Sequence, residues 1–296
     1  MSLCLENGSK VVIDPINERH QKSKDRDDAI WVDGQRRMVF ISIADVASYI
    51  KEDSALDEIA QLKGFTRYDE QPDFMLPREL SAGKLSLLQG QPRLTMTVQV
   101  ELDDAYEIQH ATIYPSWMVS PYDFSYQEAA RAKDTPSSPF SEQLVAAAKI
   151  AEKLHRNRTG KELKAKLIIN ERRGEVMRGQ HMHQMIEEYM LLANKALARY
   201  CLENNLPIVY RNHRHDREVF GSEGVGYYSD TCDGHEGLGF DSYLHATSPL
   251  RRYPDLYVWR IIKHFQETGK VRERDAKRAP RVARRVNWSE RLGFSA

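Results

Sequence analysis

Residues Asp25 to Ile50 read DRDDAIWVDGQRRMVFISIADVASYI. Two apolar runs, AIWV from Ala29 and MVFISIA from Met38, flank a polar stretch that opens with Asp33-Gly34-Gln35. β-Branched and aromatic residues fit a pleated surface and Asp-Gly favours a tight reversal, so the stretch predicts a β-hairpin. The hairpin is entered directly from three aspartates, Asp25, Asp27 and Asp28, and a fourth, Asp14, ends an earlier apolar run, VVID. Carboxylates this close repel, and each raises the cost of ionising the next unless a cation sits among them. Two readings stand: a solvated acidic loop entering a strand, or a site for a hard divalent ion. Strand geometry would send the adjacent Asp27 and Asp28 to opposite faces, so both serve one ion only if the chain there is a loop.

Outward from the hairpin, RLTMTVQVELDDAYEIQHATIYPSWMV, from Arg93, is strand-rich, with period-two alternation at Leu94, Met96, Val98 and Val100. SEQLVAAAKIAEKLHRNRTG predicts a helix capped by Ser141 and ending before Gly160. MHQMIEEYMLLANKALARYCLENNLP, from Met182, is apolar over its middle and predicts a buried helix. SPLRRYPDLYVWRIIKHFQETG runs irregularly past Pro249 and Pro254, then becomes a helix ending at Gly269. KDTPSSPFS, residues 133–141, is a loop. Strands dominate the first third and helices the rest, with no dividing linker. The expectation is one mixed α/β domain over residues 1–296.

The chain has 296 residues, 41% of them hydrophobic, enough for a sizeable core. It contains no twenty-residue apolar span and no cleavable-looking leader, which predicts a cytoplasmic protein without a membrane anchor. Cys4, Cys201 and Cys232 are odd in number and far apart, which suits a reducing compartment rather than a disulfide framework. Lys+Arg and Asp+Glu both total 43, so net charge makes no argument for nucleic acid. Distribution does: Arg272 to Arg291 holds seven arginines and Lys277 against Glu273, Asp275 and Glu290. That bias is either a phosphate-holding surface or a solvated helix face.

The remaining motifs each carry two readings. In YLHATSPLRRYPDL, Arg251 and Arg252 offer planar forks for phosphate, or pair with acids at a helix end. In LKGFTRYDEQPDF, Phe65 and Tyr68 beside Arg67 either stack on bases or anchor a core. HMHQ and RNHRHD invite a zinc reading, but no cysteine or acid completes a recognisable ligand set. No GxSxG, Walker or GxGxxG motif is present, which removes support for triad hydrolases and nucleotide-fold enzymes.

Taken together, nine stretches in order resemble the catalytic domain of the ribonuclease II/R exoribonucleases, the RNB family. They are DRDDAIWVD, VFISIADVASYI, SALDEIAQLKGFTRY, MLPRELSAGKLSLLQGQPRLTMTV, FSYQEA, IEEYMLLAN, YRNH, HEGLGFDSYLHATSPLRRYPDL and NWSERLGFSA. The resemblance implies an α/β fold, a mixed sheet surrounded by helices with a central channel for single-stranded RNA. It implies 3′→5′ hydrolysis to nucleoside 5′-monophosphates with Mg²⁺, Mn²⁺ being the alternative ion. Asp14, Asp25, Asp27 and Asp28 would hold the metal, with Asp27 the least dispensable. Tyr68 would clamp the terminal base and Tyr126 would line the channel. Arg251 would hold the scissile or neighbouring phosphate and Arg252 would support the backbone track. Glu187 and Glu290 would contact the last nucleotides.

This sequence departs from the family in three ways. PINERHQKSK lengthens the approach from Asp14 to the aspartate trio, which makes Glu18 the alternative fourth ligand. The stretches before HMHQ and after YRNH are short. No cold-shock or other OB-type domain flanks the core, which predicts a weaker grip on RNA or a protein partner that adds RNA-binding surface. The rival expectation is a catalytically weak RNA-binding or scaffold protein on the same fold.

Overall fold

The predicted hairpin forms, and it is part of a six-stranded sheet. The computed structural model describes residues 11–14, 25–69, 71–163, 169–170, 175–176, 180–216, 218–219 and 222–294. Its first strands are β1 (Val11–Asp14), β2 (Asp28–Asp33) and β3 (Met38–Ala44). β2 and β3 pair antiparallel with Asp33 opposite Met38. Asp33 closes the turn by accepting from the backbone N–H groups of Gln35 and Arg36, each at 3.0 Å. Gly34 fits closely there, since a Cβ would lie 3.0 Å from the Ala146 Cβ. The chain divides into two compact units, one of Met1–Ile43 with Leu87–Leu192, the other of Ala44–Ser86 with Ala193–Ala296.

In the first unit, β4 (Pro92–Leu102) and β5 (Ile108–Val119) form a second antiparallel hairpin, and β6 (Tyr122–Ser125) lies parallel to β1. The sheet order is β5-β4-β3-β2-β1-β6. Alternation in β4 predicted one buried face; the structure buries Met96, Val98 and Val100 but also Thr95 and Thr97 between them. Hydroxyl pairing makes the second face tolerable. Ser42 bonds Thr97 at 2.7 Å, and Ser116 bonds Thr97 at 2.6 Å and Thr95 at 2.8 Å, so no buried hydroxyl in that row goes without a partner.

Helix α1 (Ala55–Lys63) belongs to the second unit; α2 (Tyr126–Lys133) and α3 (Ser141–Thr159) belong to the first. Ser125 caps α2 in a reciprocal box with Glu128. The expected Ser141 cap of α3 is replaced by Phe140, which makes no side-chain cap bond. Ser141 instead donates to the Lys133 carbonyl at 2.9 Å, because α2 ends close enough to compete for the hydroxyl. Gly160 ends α3 in the left-handed conformation, as predicted. The two-residue strands β7 (Ile169–Asn170) and β8 (Glu175–Val176) pair with each other ahead of α4 (Gln180–Glu203).

The second unit contains the end of α4, the pair β9 (Tyr210–Asn212) with β12 (Tyr227–Ser229), and the pair β10 (Glu218–Val219) with β11 (Ser222–Glu223). Helices α5 (Tyr253–Thr268) and α6 (Glu273–Phe294) complete it. Trp259, Tyr253, Tyr257, Leu256 and Ile262 of α5 are fully buried. Within that core Asp57 of α1 accepts from Arg260 at 2.5 Å, Arg278 at 3.1 Å, the Tyr253 hydroxyl at 2.9 Å and the Asp53 N–H at 2.8 Å. Gly64 ends α1 at φ +74, where a Cβ would meet the Ser289 Cβ at 2.8 Å. Among the described residues, no helix is long and apolar enough to cross a membrane.

Candidate active site

In the first unit the aspartate trio straddles the start of β2. Asp25 to Asp27 lie outside regular structure and Asp28 is the first residue of the strand. The boundary therefore falls between the two adjacent aspartates, so strand geometry need not force them to opposite faces. Asp25 is 8% exposed and Asp27 4%, which is costly for carboxylates and rules out the simple solvated loop. Arg26, between them, forms an ion pair with Asp123 of β6, and its carbonyl accepts from the Leu87 N–H at 3.0 Å. The segment is thus fastened by its side chain and its backbone.

Asp14 is the last residue of β1, which runs antiparallel to β2 with Val11 opposite Ile30. Glu18, the alternative fourth ligand, lies outside the described residues, and so does the side chain of Asp14. In kind, the donors fit Mg²⁺, a hard ion that takes carboxylate oxygens. Among the described residues no three His, Cys, Asp or Glu form a group able to hold a metal; the Asp14 side chain and Glu18, the candidates to complete the set, are not among them.

Also in the first unit, Tyr126 opens α2 at 8% exposure, its ring edge-on to His183 with centroids 5.3 Å apart. Glu187 is exposed on α4, while its neighbour Glu188 is buried and bonded to Arg158 at 2.5 Å and His155 at 2.7 Å. Of the paired glutamates in IEEYM, one is part of the packing and the other is left to solvent.

In the second unit Tyr68 is 38% exposed, so it is no core anchor. Phe65 is half-buried, its ring centroid 6.2 Å from that of Tyr228. The arginine pair divides. Arg252 caps α5 and donates to buried Asp255 at 2.7 Å and to the Thr247 hydroxyl at 3.2 Å. Burial works against its charge, and Asp255 more than offsets this, holding the guanidinium pKa above its ordinary value. Arg251 donates to the Ser248 hydroxyl at 2.8 Å, and its carbonyl accepts from the Thr66 N–H at 2.9 Å.

Glu290 of α6 is gripped by Arg211 of β9 at 2.7 Å, and Arg211 lies over the Tyr228 ring at 4.6 Å. Burial raises the Tyr228 hydroxyl pKa, and burial with Arg252 and Arg211 holds His245 well below its ordinary value. The hydroxyl and Nδ1 of His245 share a hydrogen bond at 2.8 Å. Asn287 clips α6 to β12 by accepting from the Tyr228 N–H and donating to its carbonyl, both at 2.8 Å. Sequence reasoning assigned no role to Arg211, Asn287 or Asp255. Their only signal was membership of YRNH, NWSER and YPDL, where each passes for an ordinary polar residue.

The histidine pairs give no zinc site among the described residues. His213 donates from Nε2 to the Gly224 carbonyl at 2.9 Å and accepts at Nδ1 from Gly237 at 3.3 Å, which uses both nitrogens.

Comparison with known proteins follows the same outline. The family model described as the RNB domain matches residues 5–222 and 224–268. Ribonuclease R of Thermotoga maritima is 30% identical over 350 residues, covering 93% of this chain and 49% of that protein. That alignment is longer than the present chain, so this chain is shorter within the matched region. RNase R of Mycoplasma genitalium, solved with double-stranded RNA, superposes with a TM-score of 0.83 at 22% identity, over 98% of this chain and 64% of that one. Yeast Ssd1, titled a pseudonuclease, superposes with a TM-score of 0.75 at 16% identity, over 97% of this chain and 42% of that one. The chain spans about half the length of the ribonuclease R relatives it matches.

Proposed function

The chain belongs to the RNB-domain family, and on that premise we propose that it hydrolyses single-stranded RNA from the 3′ end, releasing nucleoside 5′-monophosphates. The observation that carries the reading is the pair of buried carboxylates, Asp25 and Asp27, in a segment fastened through Arg26. Like charges crowded this closely repel unless a cation sits among them. We read residues 1–296 as one RNB-type catalytic domain, because the family match runs through both units.

Asp14, Asp25, Asp27 and Asp28 would hold Mg²⁺, or Mn²⁺ in its place. When bound, the ion supplies Lewis-acid polarisation of a phosphoryl oxygen and a more acidic water. Water adds to phosphorus in line with the leaving 3′ oxygen of the penultimate nucleotide, which takes up a proton as the P–O bond breaks. Arg251 opposes the charge that builds on the phosphoryl oxygens, a task suited to its planar fork. Arg252 supports the backbone track from the α5 cap. Tyr68 stacks on the terminal base and Tyr126 lines the channel. Glu187 and Glu290 contact the last nucleotides, Glu290 held in place by Arg211. Stacking and backbone contacts make the choice of RNA indifferent to sequence, and ribose 2′-OH contacts exclude DNA.

The second reading, an RNA-binding or scaffold protein of weak activity, draws on the likeness to yeast Ssd1. End-labelled RNA and DNA oligomers incubated with Mg²⁺ or with EDTA separate the two. The expected result is stepwise shortening of RNA from its 3′ end in Mg²⁺, none in EDTA, and intact DNA. RNA that is bound but never shortened would establish the second reading instead.

A further inference from the structure

The basic segment of α6 divides into two faces with different uses. Arg272, Arg274 and Arg278 are tied to Glu52 at 2.5–2.8 Å, and Arg278 also reaches Asp53 and Asp57. Those contacts hold α6 within its own unit, so the phosphate-holding expectation for the whole segment is corrected for them. A second line, Lys277, Arg281, Arg284, Trp288 and Arg291, is exposed. Steps of three or four place these residues on one stripe roughly 80° wide and about 21 Å long at 1.5 Å rise per residue. Val282, Ala283, Val286, Asn287 and Ser289 are buried on the remaining sides.

Arg281 and Arg284 make no ion pair among the described residues. Lys277 has only the exposed Glu273 one turn away, a pair that adds little. Trp288 keeps 57% of its surface in water between Arg284 and Arg291. A lone exposed apolar residue needs no explanation, but an indole set in a row of guanidinium groups combines the two parts of a single-strand binding surface: cations for phosphates and a flat ring for a base. The overall charge balance of 43 against 43 means that this stripe is a local concentration rather than a sample of a basic protein.

We infer that the exposed face of α6 binds the backbone of single-stranded RNA, with a base stacked on Trp288. The inference rests on the RNA reading above, yet its test is separate. Turnover in Mg²⁺ by the unaltered chain examines the activity; equilibrium binding of a fluorescein-labelled RNA oligomer in EDTA examines the face. Arg281→Gln with Arg284→Gln should make the slope of log K against log salt shallower by about 1.4, at roughly 0.7 per phosphate contact. Trp288→Ala should weaken binding about tenfold, within the range for loss of one base–aromatic stack, and Trp288→Phe should retain most of the affinity. Circular dichroism melts verify that the exposed substitutions leave the fold intact, and the Phe variant serves if the Ala variant does not fold. Unchanged affinity and salt slope in the variants would overturn the inference. So would competition by poly-glutamate as effective as that by unlabelled RNA, since the face would then bind any polyanion.

Discussion

Asp57 and the Asp25–Asp28 segment are both buried acidic regions, and they are built in opposite ways. Asp57 is a single carboxylate whose oxygens accept from two arginines, a tyrosine hydroxyl and a backbone N–H. Its arginine partners, Arg260 and Arg278, lie about 200 residues further along the chain. Asp25, Asp27 and Asp28 instead crowd like charges into four positions, and the arginine among them is pinned to Asp123. A buried carboxylate surrounded by fixed cations serves the fold. On the proposed function, the crowd of carboxylates in the fastened loop would instead serve a cation from outside.

The largest effect that sharpens this contrast is catalytic. Asp27→Asn should reduce RNA turnover at least about 10³-fold, the scale of removing a group that stabilises charge in a transition state, while shifting stability by less than about 1 kcal/mol. Turnover near that of the unaltered protein would place Asp27 with the structural carboxylates.

Asp57→Asn should behave in reverse, lowering the free energy of unfolding by about 3–5 kcal/mol, since Arg260 and Arg278 would then face a neutral amide. Urea denaturation measures the loss. The same residue has a pH signature. Burial alone would raise its pKa, but the charge and hydrogen bonds of Arg260 more than offset this and hold it below the ordinary 3.8. A depressed folded pKa means that the contribution is complete above about 3.8 and fades as pH falls through the lower folded value. The Asn variant should therefore have a flatter acid limb than the unaltered chain, and a parallel limb would break the assignment.

The smallest effect extends the comparison to tyrosines. Tyr253 is buried with its hydroxyl on Asp57, whereas Tyr68 is exposed. Tyr68→Ala should cost roughly 1–3 kcal/mol in RNA binding and change the length of the limit product, with Tyr68→Phe nearly neutral. Product analysis on short oligomers distinguishes this from a packing role, which would alter stability and leave products unchanged.

Much of the fold was legible because its signals are local. The hairpin from Ala29 to Ala44, the alternation through β4 and the glycine ends of α3 and α5 depend on neighbours a few residues away. Failures came where a distant segment intervened. Ser141 lost its cap because Lys133 offered a carbonyl, and the polar row of β4 was buried because Ser42 and Ser116 met it. The site was legible in part for the same reason. Crowded aspartates are visible in a line of text, but Arg211, which grips Glu290 from 79 residues away, is not.

The sequence by itself determined the α/β class, the order of the main strands and helices, the family resemblance and the aspartates worth testing. Only the tertiary structure decided what each arginine is for. Arg251 and Arg252 are adjacent and chemically identical, yet Arg252 is bound to buried Asp255 while Arg251 rests on a serine hydroxyl. Arg278 and Arg281 are one turn apart, yet one is locked to Glu52, Asp53 and Asp57 and the other faces water. The reason is that a guanidinium's role is set by which carboxylate the fold brings within about 3 Å of it and how much water is excluded there, and both depend on residues far away in the chain.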